Sequence, residues 1–349
     1  MNWFRVIMPI ALLATFIYPP LRLADWLMTG FVPPIWLWLV SWGLVVVLMR
    51  SAFRDENNWL RAVFVQWLGI GFILFVIMLV AELILLLTQF EPAWLAKMVI
   101  LTAFVTCLIG VIFSNHIRIR NVEIKSPLLD KPIRLVQISD VHIGSRSVKF
   151  LSIIVDKINA IKPDFVVITG DLVDASSVDR AALSALASLD CRCFFAIGNH
   201  DRWVDLDRLL ADVESHRVEV LRNRHTSVMG IEIIGIDDAD DPGQVAKHLP
   251  GIPFDASKFC LLLYHRPLGW EDAIEHNIDL KLSGHTHNGQ IFPFNLLVRQ
   301  MFPRIQGLYQ KGQHSLYVSP GTGTWGPTMR IGSINEITCF DLSNPSAGE

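Results

Sequence analysis

Five short polar blocks stand out in this 349-residue chain because each follows a run of apolar, mostly β-branched or aromatic residues. Asp140 and His142 follow LVQIS (135–139), and Gly170-Asp171 follows FVVIT (165–169). Gly198-Asn199-His200-Asp201 follows FFAI (194–197), His265 ends the run FCLLLY (259–264), and Gly284-His285-Thr286-His287 comes after LKL (280–282). If these runs are strands, the polar residues gather at the strands' carboxyl ends, where open α/β folds place their sites. Carboxylates, imidazoles and one amide make a mixed nitrogen and oxygen donor set, suited to Mn, Fe, Zn or a similar ion and unsuited to a soft metal held by thiolates. Any one block is weak, since DxH, HxH and GD occur in many loops and turns. Five of them in this order, all at strand ends, form a specific signal.

The elements that must position these residues are legible in the same stretch. The order is strand 135–139, amphipathic helix 148–161, strand 165–169, amphipathic stretch 181–189 and strand 194–197, a β-α-β-α-β pattern that predicts an α/β domain. Later runs at 231–236, 259–264, 280–282, 316–319 and 336–340 supply more strands than one short sheet needs. The expected architecture is a two-sheet β-sandwich flanked by helices, preceded by a helical transmembrane region.

That preceding region is set apart by composition. The chain is 52% hydrophobic and 18% charged, too apolar for an ordinary soluble domain. Residues 1–115 hold 11 of its 63 charged residues and none of its 11 His. Four hydrophobic segments lie there, 6–21, 31–49, 62–81 and 98–115, and the middle two are the clearest candidates to cross a bilayer. The first is short and ends in Tyr18-Pro19-Pro20; its rival reading, a cleaved signal peptide, lacks an A-x-A-like site. Eight of the 11 Trp fall in this third, several at segment ends, as expected at headgroup level.

For four spans, the flanking basic residues on one side are Arg5, Arg50, Arg54, Arg61, Arg118, Arg120 and Lys125, against Arg22 and Lys97 on the other. This asymmetry predicts a multi-pass protein of the cell (inner) membrane with its C-terminal domain in the cytoplasm. Glu82 interrupts the third run and reads as a structural acid near a helix end, with no partner named by the sequence. As the one ionisable residue deep in the spans, it argues against a transporter. The expected organisation is a transmembrane region of three to four helices at 1–115, a linker at 116–131, a domain at 132–342 and a tail at 343–349.

The residues after 115 exclude other classes. That part holds 24 Lys/Arg against 28 Asp/Glu, so no basic face favours nucleic acid. The five Cys show no zinc-type spacing or disulfide framework and read as small apolar fillers. No Ser or Cys lies in a nucleophile context such as GxSxG. The acidic run Asp237-Asp238-Ala239-Asp240-Asp241 before Pro242 reads as a solvated turn without a role.

Taken together, DVH, GD, GNHD, H and GHTH resemble the calcineurin-like metallophosphoesterase superfamily over about residues 130–342, and the multi-span N-terminus resembles a membrane-anchored bacterial subgroup. The resemblance implies two divalent metal ions bridged by Asp171. Asp140, His142 and His287 would complete one site, and Asn199, His265 and His285 the other. It also implies that His200 is a second-sphere hydrogen-bond donor or general acid, positioned by Asp201. Gly170, Gly198 and Gly284 would permit tight turns and close backbone approach. Two departures from the subgroup's pattern are Asn288, where Gly is usual, and an altered Gly-rich segment, SPGTGTWGPTMRIG (319–332).

The implied function is a membrane-anchored hydrolase of a phosphodiester, pyrophosphate or phosphomonoester in a lipid or lipid precursor. The alternative is a catalytically silent metal- or ligand-binding membrane sensor or scaffold. The run IFPFNLLVRQMFPRIQGLY (291–309) bears on the substrate, since it is apolar, carries Arg299 and Arg304, and comes soon after His287. It is expected either to lie against the bilayer and admit a lipid-linked phosphoester, or to pack into the domain core or onto the membrane helices.

Overall fold

The computed structural model describes residues 9–28, 31–54, 58–176 and 178–345; Trp3, Arg5, the Arg54 side chain and the last four residues of the expected tail lie outside the described residues. The chain forms two compact units, one of Met1–Ile112 with Gly326–Ile331 and the other of Phe113–Trp325 with Gly332–Glu349.

The first unit is helical. Three of its helical runs, Pro9–Leu27, Trp59–Leu87 and Pro92–Asn115, are long and apolar enough to cross a membrane, and the apolar helix over the second segment spans Ile35–Arg54. Pro19 and Pro20 lie in the first turn of the helix Tyr18–Leu27, where a missing N–H is tolerated, so the run continues to Leu27. Pro33 and Pro34 instead precede the next helix, which begins only at Ile35. The long helices turn large apolar side chains outward all round, including Leu86 at 81% exposure, a distribution that lipid accommodates and water does not. At Gly71 an added Cβ would lie 2.1 Å from the Thr15 carbonyl oxygen, so only a bare backbone permits this close crossing.

Glu82 has partners that its sequence context did not reveal. The Tyr18 hydroxyl donates to Glu82 Oε1 at 2.8 Å, and Arg22 donates from Nε to Oε1 at 2.6 Å and from Nη2 to Oε2 at 3.0 Å. Arg22 also pairs with Asp25. Removing Arg22 alone would strand a carboxylate among apolar helices, at a cost below the ~2.5–3.5 kcal/mol of a charge at a helix centre, since Glu82 lies near the end of the helix Asn58–Leu87. Arg22→Leu is therefore expected to lower thermal stability in detergent, and Arg22→Leu with Glu82→Leu to recover most of the loss. A double variant as unstable as the single one would contradict this pairing.

The excursion Gly326–Ile331 belongs to the helical unit. The Thr328 amide donates to Gln66 Oε1 at 3.1 Å and the Arg330 amide to the Gly110 carbonyl at 2.9 Å. A Cβ on Gly110 would meet Met329 and Ile331 at 3.3 Å.

The second unit is a sandwich of two mixed six-stranded sheets with helices outside. The strands are β1 (Ile117–Lys125), β2 (Ile133–Ile138), β3 (Phe165–Thr169), β4 (Arg192–Ala196), β5 (Val218–Val220), β6 (Arg224–Val228), β7 (Ile231–Gly235), β8 (Phe259–Leu263), β9 (Leu280–Ser283), β10 (Gly307–Lys311), β11 (His314–Val318) and β12 (Asn335–Ser343). The first sheet runs β1-β12-β2-β3-β4-β5 and the second β10-β11-β9-β8-β7-β6. The central neighbours β2, β3 and β4 are parallel, as are β7, β8 and β9, so their carboxyl ends share an edge.

The strand runs are apolar without interruption because both faces are covered. Along β3, Phe165 and Val167 enter the core between the sheets while Val166 and Ile168 face the outer helices. Along β8, Phe259, Leu261 and Leu263 point to the inner core, and Cys260 and Leu262 to the outer cluster with Val245 and Ala273. The helix Val148–Ile161 buries Phe150, Leu151, Ile154, Val155 and Ile158, one stripe at helical spacing. The stretch expected as a second helix is a 3₁₀ helix, Arg180–Ser188, capped by the Asp179 side chain accepting from the Ala182 amide.

The expected linker is also corrected. Residues 117–125 form β1, which pairs in parallel with β12 over nine positions and buries Ile117, Val122 and Ile124. Arg118 reaches the buried Glu336 at 2.8 Å. The domain's sheet thus begins directly after the last apolar helix, and β12 extends into the expected tail as far as Ser343.

Candidate metal centre

Asp140, His142 and His287 come together at one point of the shared strand edge, and Asp171, His265 and His285 at another; within each group one donor atom per residue lies within 4.8 Å of the others. In the first group His142 Nε2 is 3.0 Å from His287 Nε2, and His287 Nε2 is 3.3 Å from Asp140 Oδ1. In the second, His265 Nε2 is 3.2 Å from Asp171 Oδ2 and 3.3 Å from His285 Nδ1. Asp171 Oδ2 also lies 3.8 Å from His142 Nε2, so one carboxylate oxygen faces both groups.

The backbone is bent to achieve this. Asp140, His142, Asp171, His285 and His287 all hold φ between 48° and 73°, the left-handed region that side chains other than Gly seldom adopt. Strain of this kind persists where surrounding contacts over-determine it, and it clusters at functional sites. The contacts are present. The His285 amide donates to both Asp140 oxygens at 3.1 Å, and the His200 amide donates to Asp171 Oδ1 at 2.8 Å. Space is equally tight, since a Cβ on Gly284 would fall 2.2 Å from Asp140 Oδ2.

The donors fit divalent cations. Ligands about 2.1 Å from one ion and at right angles to each other stand about 3 Å apart, close to the His142–His287 spacing. Asn199 Oδ1 is buried with no hydrogen-bond partner, an acceptor that a cation would satisfy. His265 turns Nδ1 to the Thr169 carbonyl at 2.8 Å, which fixes the tautomer and leaves Nε2 facing Asp171.

Burial and mutual charge shift the protonation of the cluster. Burial resists ionisation of Asp171, but His265, His142 and His200 around it hold its carboxyl well below the usual carboxylate range. Burial, aided by repulsion from His265, lowers His285 to about 3. Burial likewise lowers His200 to about 4 against the pull of Asp171. Both imidazoles are therefore neutral near pH 7.

The comparisons with known proteins decide the family. The calcineurin-like phosphoesterase profile matches residues 133–289. An uncharacterized metallophosphoesterase of Aquifex aeolicus is 30% identical over 262 residues, covering 68% of this chain and 98% of that protein. The chain belongs to the calcineurin-like phosphoesterase family. An uncharacterized metallophosphoesterase of Campylobacter jejuni is 35% identical over 237 residues, covering 64% of this chain and 63% of its own length. A zebrafish (Danio rerio) transmembrane protein with metallophosphoesterase domain is 38% identical over 229 residues, covering 59% of this chain and 52% of its own. The chain thus spans between half and two thirds of the length of these two relatives.

For a member of this family, several residues lie elsewhere than expected or were missed. Asp201 does not position His200. Its buried carboxylate accepts four backbone amides, from Asp171, Leu172, Val173 and Gly198, at 2.7–3.1 Å, and so ties the turn after β3 to the turn after β4. His200 Nδ1 has no hydrogen-bond partner, and its Nε2 lies 4.0 Å from Asp171 Oδ2.

Asp174 was missed, although the spacing GDLVD places a second acid three residues after Asp171. Its Oδ2 is 3.4 Å from His142 Nδ1, and Ser145 donates to it from both backbone and hydroxyl. A carboxylate behind a metal-binding imidazole orients the ring and raises its basicity. Asp174→Asn is expected to weaken metal affinity roughly 10- to 100-fold, measured by titration of the metal-free protein. Unchanged affinity would show that Asp174 serves the loop alone.

Only the second half of the acidic run is a solvated turn: Asp240 and Asp241 are exposed before Pro242, whereas Asp237 and Asp238 are buried. Asp238 is buried and held in a two-pronged pair with Arg266, Nε to Oδ2 at 2.7 Å and Nη2 to Oδ1 at 3.0 Å, with Arg202 Nη1 3.7 Å away. These arginines directly follow Asp201 and His265, so the acid fastens the loops that carry Asn199 and His265. Asp237 is paired with Arg222 at 2.8 Å. Asn288 adopts φ 49°, in the left-handed region that Asn tolerates better than most residues other than Gly. The altered Gly-rich segment lies beside Asp140, with the Thr322 and Gly323 amides donating to the Ser139 and Asp140 carbonyls at 2.7 and 3.0 Å.

Proposed function

We propose that this protein is a membrane-anchored, metal-dependent phosphoesterase. In this reading Asp140, His142 and His287 hold one divalent ion, Asn199, His265 and His285 a second, and Asp171 is shared. The observation that carries it is Asp171 Oδ2, within 4 Å of imidazole nitrogens from both groups. Bound there, two dications would make water a competent nucleophile at neutral pH and neutralise the phosphoryl oxygens.

The chain's own residues do the remainder. Amides of His200 and His285 fix the two carboxylates, and Asp201 ties the turn that carries Asp171 to the turn after β4. His200, neutral because it is buried, offers a ring N–H as hydrogen-bond donor to the departing oxygen.

The substrate is proposed to be lipid-linked. The segment after the GHTH block forms a helix, Phe294–Met301, that buries Val298 and leaves Phe294, Leu297 and Met301 exposed. Such a face beside a metal centre suits a bilayer surface or an acyl chain. The basic flanks favour a domain on the cytoplasmic side, which a reporter fused to the C-terminus tests.

The function is tested by hydrolysis of bis-p-nitrophenyl phosphate and p-nitrophenyl phosphate by the detergent-purified chain with Mn²⁺. Turnover that chelation abolishes is expected. Two bound ions per chain without turnover would favour the silent sensor instead. Phe294→Ser with Leu297→Ser is expected to impair a lipid phosphoester far more than bis-p-nitrophenyl phosphate. Equal losses on both would remove the lipid part of the proposal.

A further inference from the structure

We infer that Trp203 and Trp325 form an aromatic seat for the substrate's leaving group, so that the centre selects phosphoesters with a planar or apolar leaving group over those of small polar alcohols. This rests on the proposed phosphoesterase reading and deepens it. The Trp203 ring centroid is 3.7 Å from that of His200, and the Trp325 centroid 5.3 Å. His200 is only 7% exposed, whereas Trp203 is 61% and Trp325 46% exposed. The two indoles cover the imidazole and turn most of their remaining surface outward. Packing within the fold does not account for so much open aromatic area, while a large, rigid apolar surface beside a reactive centre is a ready contact for a ligand.

Both rings are anchored to ligand-bearing turns. Trp203 ends the 3₁₀ turn Asp201–Trp203, its amide donating to the His200 carbonyl at 2.9 Å. Trp325 is held in a reciprocal pair, its amide donating to Gln290 Oε1 at 3.1 Å and Gln290 Nε2 donating to its carbonyl at 3.0 Å. Gln290 lies three residues after His287. The backbone that carries each indole is thus fixed relative to the metal groups.

The chemistry says what meets them. In hydrolysis a water oxygen bonds to phosphorus, the ester P–O bond breaks, and the departing oxygen leaves as a hydroxyl whose proton originates in that water. In-line displacement puts the departing group opposite the attacking oxygen. If His200 hydrogen-bonds the departing oxygen, the two rings that adjoin His200 are in reach of the carbon skeleton attached to it. Stacking of this kind contributes about 0.5–1.5 kcal/mol per aromatic pair beyond area burial, or roughly 2- to 13-fold in affinity.

The test uses the full chain in detergent, loaded with Mn²⁺, and titration calorimetry with benzylphosphonate and methylphosphonate, two non-hydrolysable probes that differ at the leaving-group position. The wild type is expected to bind benzylphosphonate at least tenfold more tightly. Trp203→Ala with Trp325→Ala should reduce that preference by roughly tenfold at equal metal content, and Trp203→Phe with Trp325→Phe should retain most of it. A preference that survives both alanines overturns the inference and leaves the hydrolase reading intact. Failure of the metal-loaded wild type to bind either probe overturns both.

Discussion

Asp171→Asn is expected to abolish most hydrolysis and most metal binding without unfolding the domain. The carboxylate lies amid imidazoles, and its Oδ2 is within 4.0 Å of nitrogens from His142, His200 and His265. Asparagine keeps the shape and removes the charge. Taking one partner from a buried charge cluster costs about 3–5 kcal/mol, equivalent to roughly 10²- to 10⁴-fold in a rate or binding constant. Metal content per chain and kcat on p-nitrophenyl phosphate should fall together. The thermal midpoint of the metal-free protein should fall, because the same penalty acts on folding, but the domain should stay folded, since the core between the sheets is untouched. A variant that keeps two ions and wild-type kcat would remove Asp171 from the centre.

Gly198→Ala should be nearly as damaging, for a steric reason. A Cβ there would stand 2.2 Å from Asp171 Oδ1 and 2.5 Å from the Asp171 backbone nitrogen. The neighbour is a buried carboxylate already held by the His200 amide, so it has no easy retreat. Protein interiors are close-packed, and a shift of about 1 Å at a reacting centre costs on the order of 10²-fold in rate. Gly251→Ala is the control, since nothing lies within 4 Å of its Cβ position. Activity in Gly198→Ala equal to that of the control would show that the two turns are more compliant than their contacts indicate.

What was legible in the sequence and what was not divide along physical lines. Residues 135–139, 165–169 and 259–264 read as strands because period-two alternation between two buried faces leaves a continuous apolar run, and the acids and imidazoles after them could only gather at one edge. The six residues of the two groups were found by that logic. β1 was not, because its sequence, IRIRNVEIK, buries only part of one face and its charges read as membrane flanks. Glu82 and Arg22 are 60 residues apart, a pairing that no local pattern encodes. The family resemblance implied Asp201 as the residue that positions His200, but its carboxylate is taken up by four backbone amides. Asp238 read as solvent-facing because the run from Asp237 to Asp241 is nearly all acidic, and burial of one of its members depends on two arginines from other loops.

The position of β1 has a practical consequence for anyone preparing the catalytic half alone. A water-soluble fragment started at Pro132, where the strand pattern becomes obvious, would strip β12 of its parallel neighbour and open a nine-position row of unpaired amides and carbonyls. It would also free the buried Glu336 from Arg118. Bare sheet edges of that length recruit further chains, so such a fragment should form fibrils or oligomers on concentration, whereas one started at His116 ends its sheet in β1, whose exposed Arg118, Arg120, Glu123 and Lys125 discourage edge pairing, and should remain monodisperse.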